Sequence, residues 1–137
     1  MTEEKVLPFM EHLVELRKRL IVCTFAICAA SDAEAERLAA PIDLRRLHMA
    51  LNVDTPIPTD EEAARHRYSA EERTYVTGQR ARAVLGSPQT CRREIEAMAE
   101  RYGADEVMVL TITGSYETRL RSYELLIAEF GDGALTP

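Results

Sequence analysis

The side chains that could carry metal or nucleophilic chemistry are three cysteines and three histidines. Cys23 and Cys28 are spaced too widely for a CxxC motif, and an odd, low cysteine count predicts no disulfide framework. His12, His48 and His66 show neither the HxxxH nor the HExxH spacing of a zinc site. The sequence therefore predicts buried free thiols and no metal site, and it identifies no catalytic residue.

Composition narrows the classes of function further. The chain has 137 residues, of which 46% are hydrophobic, and this is enough for one globular domain. The net charge of −6 argues against a nucleic-acid partner, because proteins that bind phosphate backbones usually present a basic face. No GxSxG, Walker or dinucleotide-binding motif occurs in the sequence.

One apolar run, residues 20–30, raises the question of a membrane or an export signal. A spanning helix needs about 20 apolar residues, so we expect no membrane insertion and a cytoplasmic location. The run follows the basic Arg17-Lys18-Arg19 and ends in small residues, which is also the outline of an export signal. Its β-branched residues favour the other interpretation, a buried parallel strand at Ile21–Ala29.

Elements with local start and stop signals follow along the chain. We expect a helix over Pro8–Leu20, the strand just named, and a helix capped by Ser31 that Pro41 breaks or kinks before it resumes at Ile42–Leu51. A loop at Asn52–Pro58 precedes two short helices. Their capping boxes pair Thr59 with Glu62 and Ser69 with Glu72.

The last third is the most regular part of the sequence. Ser87 and Pro88 predict a helix start, and Gly103 predicts its end. A strand at Glu106–Thr113 and a final helix capped by Ser115 follow. Strands that alternate with helices are typical of parallel βα units, so the residues alone predict two such units with a helical insertion.

Three blocks resemble the C-terminal third of luciferase-like flavin-dependent monooxygenases. They are IVCTFAICAASDAEAERLA (21–39), YSAEERTYVTGQRARAVLGSP (68–88) and ERYGADEVMVLTITGSYETRLRSYELLIAEF (100–130). The resemblance covers residues 21–131 and implies an α/β fold, the last two βα units of a partial (β/α)8 TIM barrel, with 132–137 as a tail. It also implies an oxidoreductase that uses reduced FMN and O2.

Such a barrel needs about 250 residues, so the resemblance implies a truncated enzyme that is inactive alone and binds no FMN by itself. Thr111 and Thr113 would face the barrel mouth and are the candidate cofactor-binding residues, although they also fit strand-end packing and capping. The family often has a His-Asp pair after the TIT motif, where Gly114-Ser115 stands here.

A second resemblance covers PFMEHLVELRKRL, residues 8–20, which is similar to the N-terminal segment of the C subunit of the twin-arginine translocase. It implies a translocase-like helical segment at residues 1–20, with a domain boundary near residue 20. Two other functions therefore stay open beside the truncated enzyme. One is a translocase-related fragment with an unrelated tail, and the other is a module without catalysis that self-associates through the unpaired edges of the barrel strands.

Overall fold

Three parallel strands form the centre of the molecule in a computed structural model that describes residues 8–11 and 21–131. Strand β1 is Ile21–Cys28, β2 is Ala83–Gly86 and β3 is Glu106–Leu110. The order across the sheet is β2-β1-β3, so the first strand lies between the other two.

The two outer strands contact different halves of β1. Strand β3 pairs with its first half, from Ile21 opposite Glu106 to Phe25 opposite Leu110. Strand β2 pairs only with its second half, which begins at Phe25. The sheet is therefore staggered, and only the middle of β1 has a strand on both sides.

The helices lie on both faces of this sheet. They are α1 (Asp32–Ala50), α2 (Asp60–Arg65), α3 (Ala70–Arg80), α4 (Pro88–Tyr102) and α5 (Tyr116–Phe130). The chain moves outward from β1 to β2 through α1, and back across β1 to β3 through α4. Crossover connections between parallel strands are right-handed. Two such crossovers that run in opposite directions across the sheet place their helices on opposite faces, and α1 and α4 are on opposite faces here.

Helices α4 and α5 bury one face of the sheet. Even-numbered residues of β1 point to this side, since side chains alternate along a strand. The core here consists of Ala26, Cys28, Val84, Cys91, Ile95 and Leu126.

Helix α1 covers only part of the opposite face. Ile27 and Ala29 pack there against Ala35, Leu38 and Ala39 of the helix. Further along α1, a smaller cluster of Leu44, Leu47 and Ala63 joins it to α2. Arg80 at the end of α3 donates to buried Asp43 in α1 at 2.7 Å, and this bond fixes α3 against α1.

The predicted caps are confirmed, because they depend on residues a few positions apart. Ser31, Ser87 and Ser115 each accept a hydrogen bond from the first turn of the helix that follows. Both capping boxes form. Gly103 ends α4 in the left-handed region, with φ of 59°.

The predicted fold class is wrong. In a partial (β/α)8 barrel successive strands are neighbours, so three strands would follow the order β1-β2-β3. Here the chain crosses over β1 and forms a small open α/β sheet with an additional strand, β2, that the two-unit prediction lacked.

Two other sequence predictions concern the first helices. Helix α1 is continuous from Asp32 to Ala50 with Pro41 buried inside it, so Pro41 does not end it. Residues 8–11 of the helix expected at Pro8–Leu20 are helical, while 12–20 and the tail 132–137 lie outside the described residues. The boundary at residue 20 stays a prediction.

Candidate functional site

Thr111, the first of the two predicted cofactor-binding residues, is used inside the protein. Its side chain is buried just after β3, and its hydroxyl donates to the carbonyl oxygen of Ala26 at 2.7 Å. Its backbone N–H donates to the Tyr123 hydroxyl at 3.0 Å. The first bond extends the contact between β1 and β3 by one residue beyond the paired strand, and the second joins this residue to α5.

Thr113 is likewise engaged by its neighbours. Its hydroxyl donates to the Ser115 carbonyl at 2.9 Å and accepts from the Thr118 hydroxyl at 2.7 Å. The side chain is buried at the start of α5 and stabilises the turn into that helix. The structure therefore places both threonines near one end of the sheet and gives each a packing or capping contact.

The two buried cysteines face each other across β1 and α4. A hydrogen bond with Cys28, together with burial, raises the pKa of the Cys91 thiol. The Cys91 sulfur lies 3.5 Å from the carbonyl oxygen of Gly86. The hydrogen bond with Cys91 lowers the pKa of Cys28. Cys28 and Cys91 are free and buried, as the sequence predicted, whereas the prediction is wrong for Cys23, which is exposed.

A larger feature is an apolar surface on the sheet face that α1 leaves uncovered. The register places Cys23 beside Met108 and Phe25 beside Leu110, so these side chains share one face with Ile21. Exposure is 49% for Ile21, 59% for Met108 and 56% for Leu110. We call the four exposed residues Ile21, Cys23, Met108 and Leu110 the open face.

The cover of that sheet face ends at Phe25. The guanidinium carbon of Arg46, from α1, lies 4.4 Å from the centre of the Phe25 ring. Beyond this contact toward β2, Ile27 is fully buried. On the β3 side, where the open face lies, no described helix covers the strands.

Strand β3 is also an edge of the sheet. It is last in the strand order, so within the described residues only β1 pairs with it. An edge strand presents backbone N–H and C=O groups that another strand can bind. Exposed apolar side chains and an open edge thus occur together at β3.

The fold brings together two histidines that no sequence motif pairs. The ring centres of His48 in α1 and His66 after α2 lie 6.5 Å apart. Eighteen positions separate them in sequence, so spacing rules could not find the pair. Both line a cavity with the loop that precedes α2.

Among residues 8–11 and 21–131, no group of three or more His, Cys, Asp or Glu side chains is placed to hold a metal ion. In the same residues, no helix has both the length and the apolar character needed to cross a membrane.

The comparisons with known proteins give relatives but no family. No family model matches the chain. Two Bacillus subtilis (strain 168) relatives are the uncharacterized proteins YceB, 37% identical over 106 residues, and YwcH, 31% identical over 115 residues. The matches cover 77% and 83% of this chain but 32% and 34% of those proteins.

One solved structure is similar as well. It is that of apo-MsnO8, which has a TM-score of 0.66 and 28% sequence identity. The match covers 87% of this chain and 36% of that one. The chain thus spans about a third of the length of the proteins that it matches.

These findings correct both resemblances drawn from the sequence. The assignment of 21–131 to luciferase-like monooxygenases is wrong, because no family model matches and the sheet lacks the strand order of a barrel. The TIM barrel and the FMN chemistry that this resemblance implied lose their basis. The translocase assignment of 8–20 is also wrong, since the comparisons give no support for it.

Proposed function

We propose that the chain is a self-association module in which two copies join along β3. The observation that carries this proposal is the open face beside an unpaired strand edge. Water-exposed apolar side chains favour burial, and an open edge supplies hydrogen bonds in a fixed direction. A second copy offers both features in matching form, as a twofold interface requires.

An antiparallel arrangement of the two β3 strands fits the charges of this segment. If Met108 pairs with Met108 of the second copy, Glu106 of each copy lies opposite Leu110 of the other. This register keeps the two Glu106 carboxylates from lying directly opposite each other. Like charges in directly opposite positions would destabilise the strand pair. The result is one six-stranded sheet with the two open faces side by side on it.

The energy available suggests a moderate affinity. Complete burial of a Met or Leu side chain stabilises by about 1.5–3 kcal/mol. Met108 and Leu110 are already 41–44% shielded, so each gains only part of that amount. Association also costs translational and rotational freedom, and we therefore expect a dimer that dissociates on dilution.

The lengths of the relatives support the need for a partner at this face. YceB and YwcH are about three times as long as the segment they share with this chain. In proteins of that length, other segments are available to cover the same face. In the proposed dimer, the second copy instead lies beside this face along β3 and shields its side chains laterally.

The test compares two leucine substitutions by sedimentation over a range of protein concentrations. Leu110→Lys places a charge in the proposed interface and should make the chain monomeric, or weaken association by at least about tenfold, equal to about 1.4 kcal/mol. Leu120→Lys is the matched control, because Leu120 is 44% exposed on α5, which packs on the opposite face of the sheet. It should associate like the unchanged protein.

Equal behaviour of the two variants would refute the interface, and so would an unchanged protein that remains monomeric at high concentration. Circular dichroism checks that both variants are folded. We further propose that the module acts in the cytoplasm, and fractionation of cells tests this location. Absence of bound flavin in the purified chain also stays a prediction, which absorbance spectroscopy tests.

A further inference from the structure

The cavity lined by His48 and His66 has a volume of about 470 Å³ and lies away from the open face, between α1, α2 and the loop that joins them. Its volume falls within the range of small-molecule sites. Its apolar wall is formed by Leu44, Pro56 and Pro58. Its polar lining is formed by His48, Thr55, Glu62, Arg65 and His66.

One nitrogen of His48 is already used. Its Nδ1 lies 2.9 Å from the Thr55 hydroxyl oxygen, which fixes the orientation of the ring. No described residue hydrogen-bonds its Nε2. The ring can therefore offer that second nitrogen to a ligand in the cavity.

His66 has one ring nitrogen inside the fold. Its Nε2 is buried without a hydrogen-bond partner among the described residues, and a carboxylate oxygen of Glu72 lies 3.5 Å from it. The ring also packs edge-on against Tyr68, with ring centres 4.5 Å apart. His66 lines the cavity, so a ligand bound there can supply a hydrogen-bond partner to its ring.

The charged groups that line the cavity are Glu62 and Arg65. The Glu62 carboxylate accepts the Thr59 backbone N–H at 2.8 Å, and this bond lowers the pKa of Glu62 and directs its negative charge to the N-terminus of α2. Arg65 lies on the same helix in a highly exposed pair with Glu61 at 3.3 Å. A pair of this kind is weak, so the guanidinium can turn to a ligand at little cost.

From this geometry we propose that the cavity binds a small organic oxyanion, a carboxylate or a phosphate monoester with an apolar body. The two histidine rings and Arg65 bind the anionic group, since hydrogen bonds to charged groups are the stronger kind. The apolar body contacts Leu44, Pro56 and Pro58. This site is independent of the proposed dimer, because none of its lining residues belongs to the open face.

The test is NMR titration of the 137-residue chain with hexanoate, hexyl phosphate and, as the uncharged probe, hexanol. It is run at pH 6, where histidine side chains in general can carry a proton. We expect the imidazole signals of His48 and His66 to shift in a saturable way with at least one of the two anions. Hexanol should bind at least about tenfold more weakly, and the stronger of the anions identifies the class of headgroup.

Two arginine variants separate a site from a general surface charge. Arg65→Gln should weaken binding of the anion by about tenfold, as expected for a lost charge-assisted hydrogen bond. Arg67→Gln removes the same charge from an exposed residue that does not line the cavity, and should leave the affinity unchanged. Equal losses in both variants would overturn the proposal, as would equal binding of hexanol and the anions, or an absence of saturable shifts in both rings.

Discussion

At the end of the sheet where β3 stops, side-chain hydroxyl groups replace the missing backbone hydrogen bonds of β1. Strand β3 ends at Leu110, so the backbone N–H of Cys28 has no β3 residue to bind. The fully buried Ser122 hydroxyl in α5 accepts that N–H at 2.9 Å and lies 3.5 Å from the Thr111 hydroxyl. A polar residue in the core face of a helix thus satisfies a buried backbone donor.

Substitution of Ser122 by alanine should therefore destabilise the fold. It leaves the Cys28 N–H buried without a partner, and such a group costs about 1–3 kcal/mol. Urea unfolding followed by circular dichroism measures the change. Thr77→Ala, at an exposed position of α3, is the control and should change the stability by less than about 0.5 kcal/mol. A Ser122→Ala loss no larger than that of the control would contradict the role of the hydroxyl.

Residue roles were predictable from the sequence only where the partners are close along the chain. The capping boxes at Thr59 and Ser69 involve a glutamate three positions away, so a local pattern identifies them. Ser122 and Cys28 are 94 positions apart, and His48 and His66 meet only through the fold. No periodic pattern marks such pairs, which is why the cavity histidines were missed.

Strand β2 is a secondary-structure element that local sequence patterns did not predict. It has four residues, which is too short for an alternating pattern to stand out. Its last residue, Gly86, lies where α1 and α4 begin. A Cβ atom at Gly86 would lie 2.6 Å from Thr90 and 2.7 Å from an Asp32 carboxylate oxygen. The strand therefore depends on close packing that sequence propensity does not express.

Two glycine substitutions should have opposite effects on stability. In Gly86→Ala, Thr90 and Asp32 must each move away from the added Cβ atom. Overpacking of this kind should lower the free energy of unfolding by about 1–3 kcal/mol. Gly78→Ala adds a Cβ within α3 that meets nothing within 4 Å, and should stabilise by up to about 1 kcal/mol. Thermal unfolding measures both. A Gly86→Ala protein as stable as the unchanged one would show that the junction is looser than described.

Asp32 joins α1 to the turn that starts α4. Its carboxylate accepts the Ser87 backbone N–H at 2.7 Å, and this bond, with smaller contributions from the Thr90 and Ser87 hydroxyls, lowers the pKa of Asp32. A carboxyl whose pKa is lower in the folded protein stabilises it above its unfolded pKa, near 3.9. The contribution is lost as the pH falls through the lower, folded value.

We therefore expect Asp32→Asn to be less stable than the unchanged protein at pH 7. The difference should shrink as the pH is lowered below about 4, because the unchanged protein then also loses the charge. Urea unfolding at pH 7 and pH 3 gives the comparison. A difference that stays constant between these two pH values would mean that the ionised carboxylate is not what joins α1 and α4.

For the molecule as a whole, one prediction concerns how two strands pair and another concerns the fold that they form. The pairing of β1 and β3 in parallel is confirmed, since a long helical crossover between strands favours it. The barrel is wrong, because local patterns report that strands are parallel but not how they are ordered. With the order β2-β1-β3, β3 becomes an edge and the open face stays uncovered by α1.

The most direct measurement of the central claim, self-association along β3, is hydrogen exchange at high and low protein concentration. Amides of residues 106–110 should exchange at least about tenfold more slowly at high concentration, because the second copy covers them. Amides of α3, which lies outside the proposed interface, provide the internal control and should not change. Exchange in β3 that is independent of concentration, in a protein that remains folded, would contradict the account.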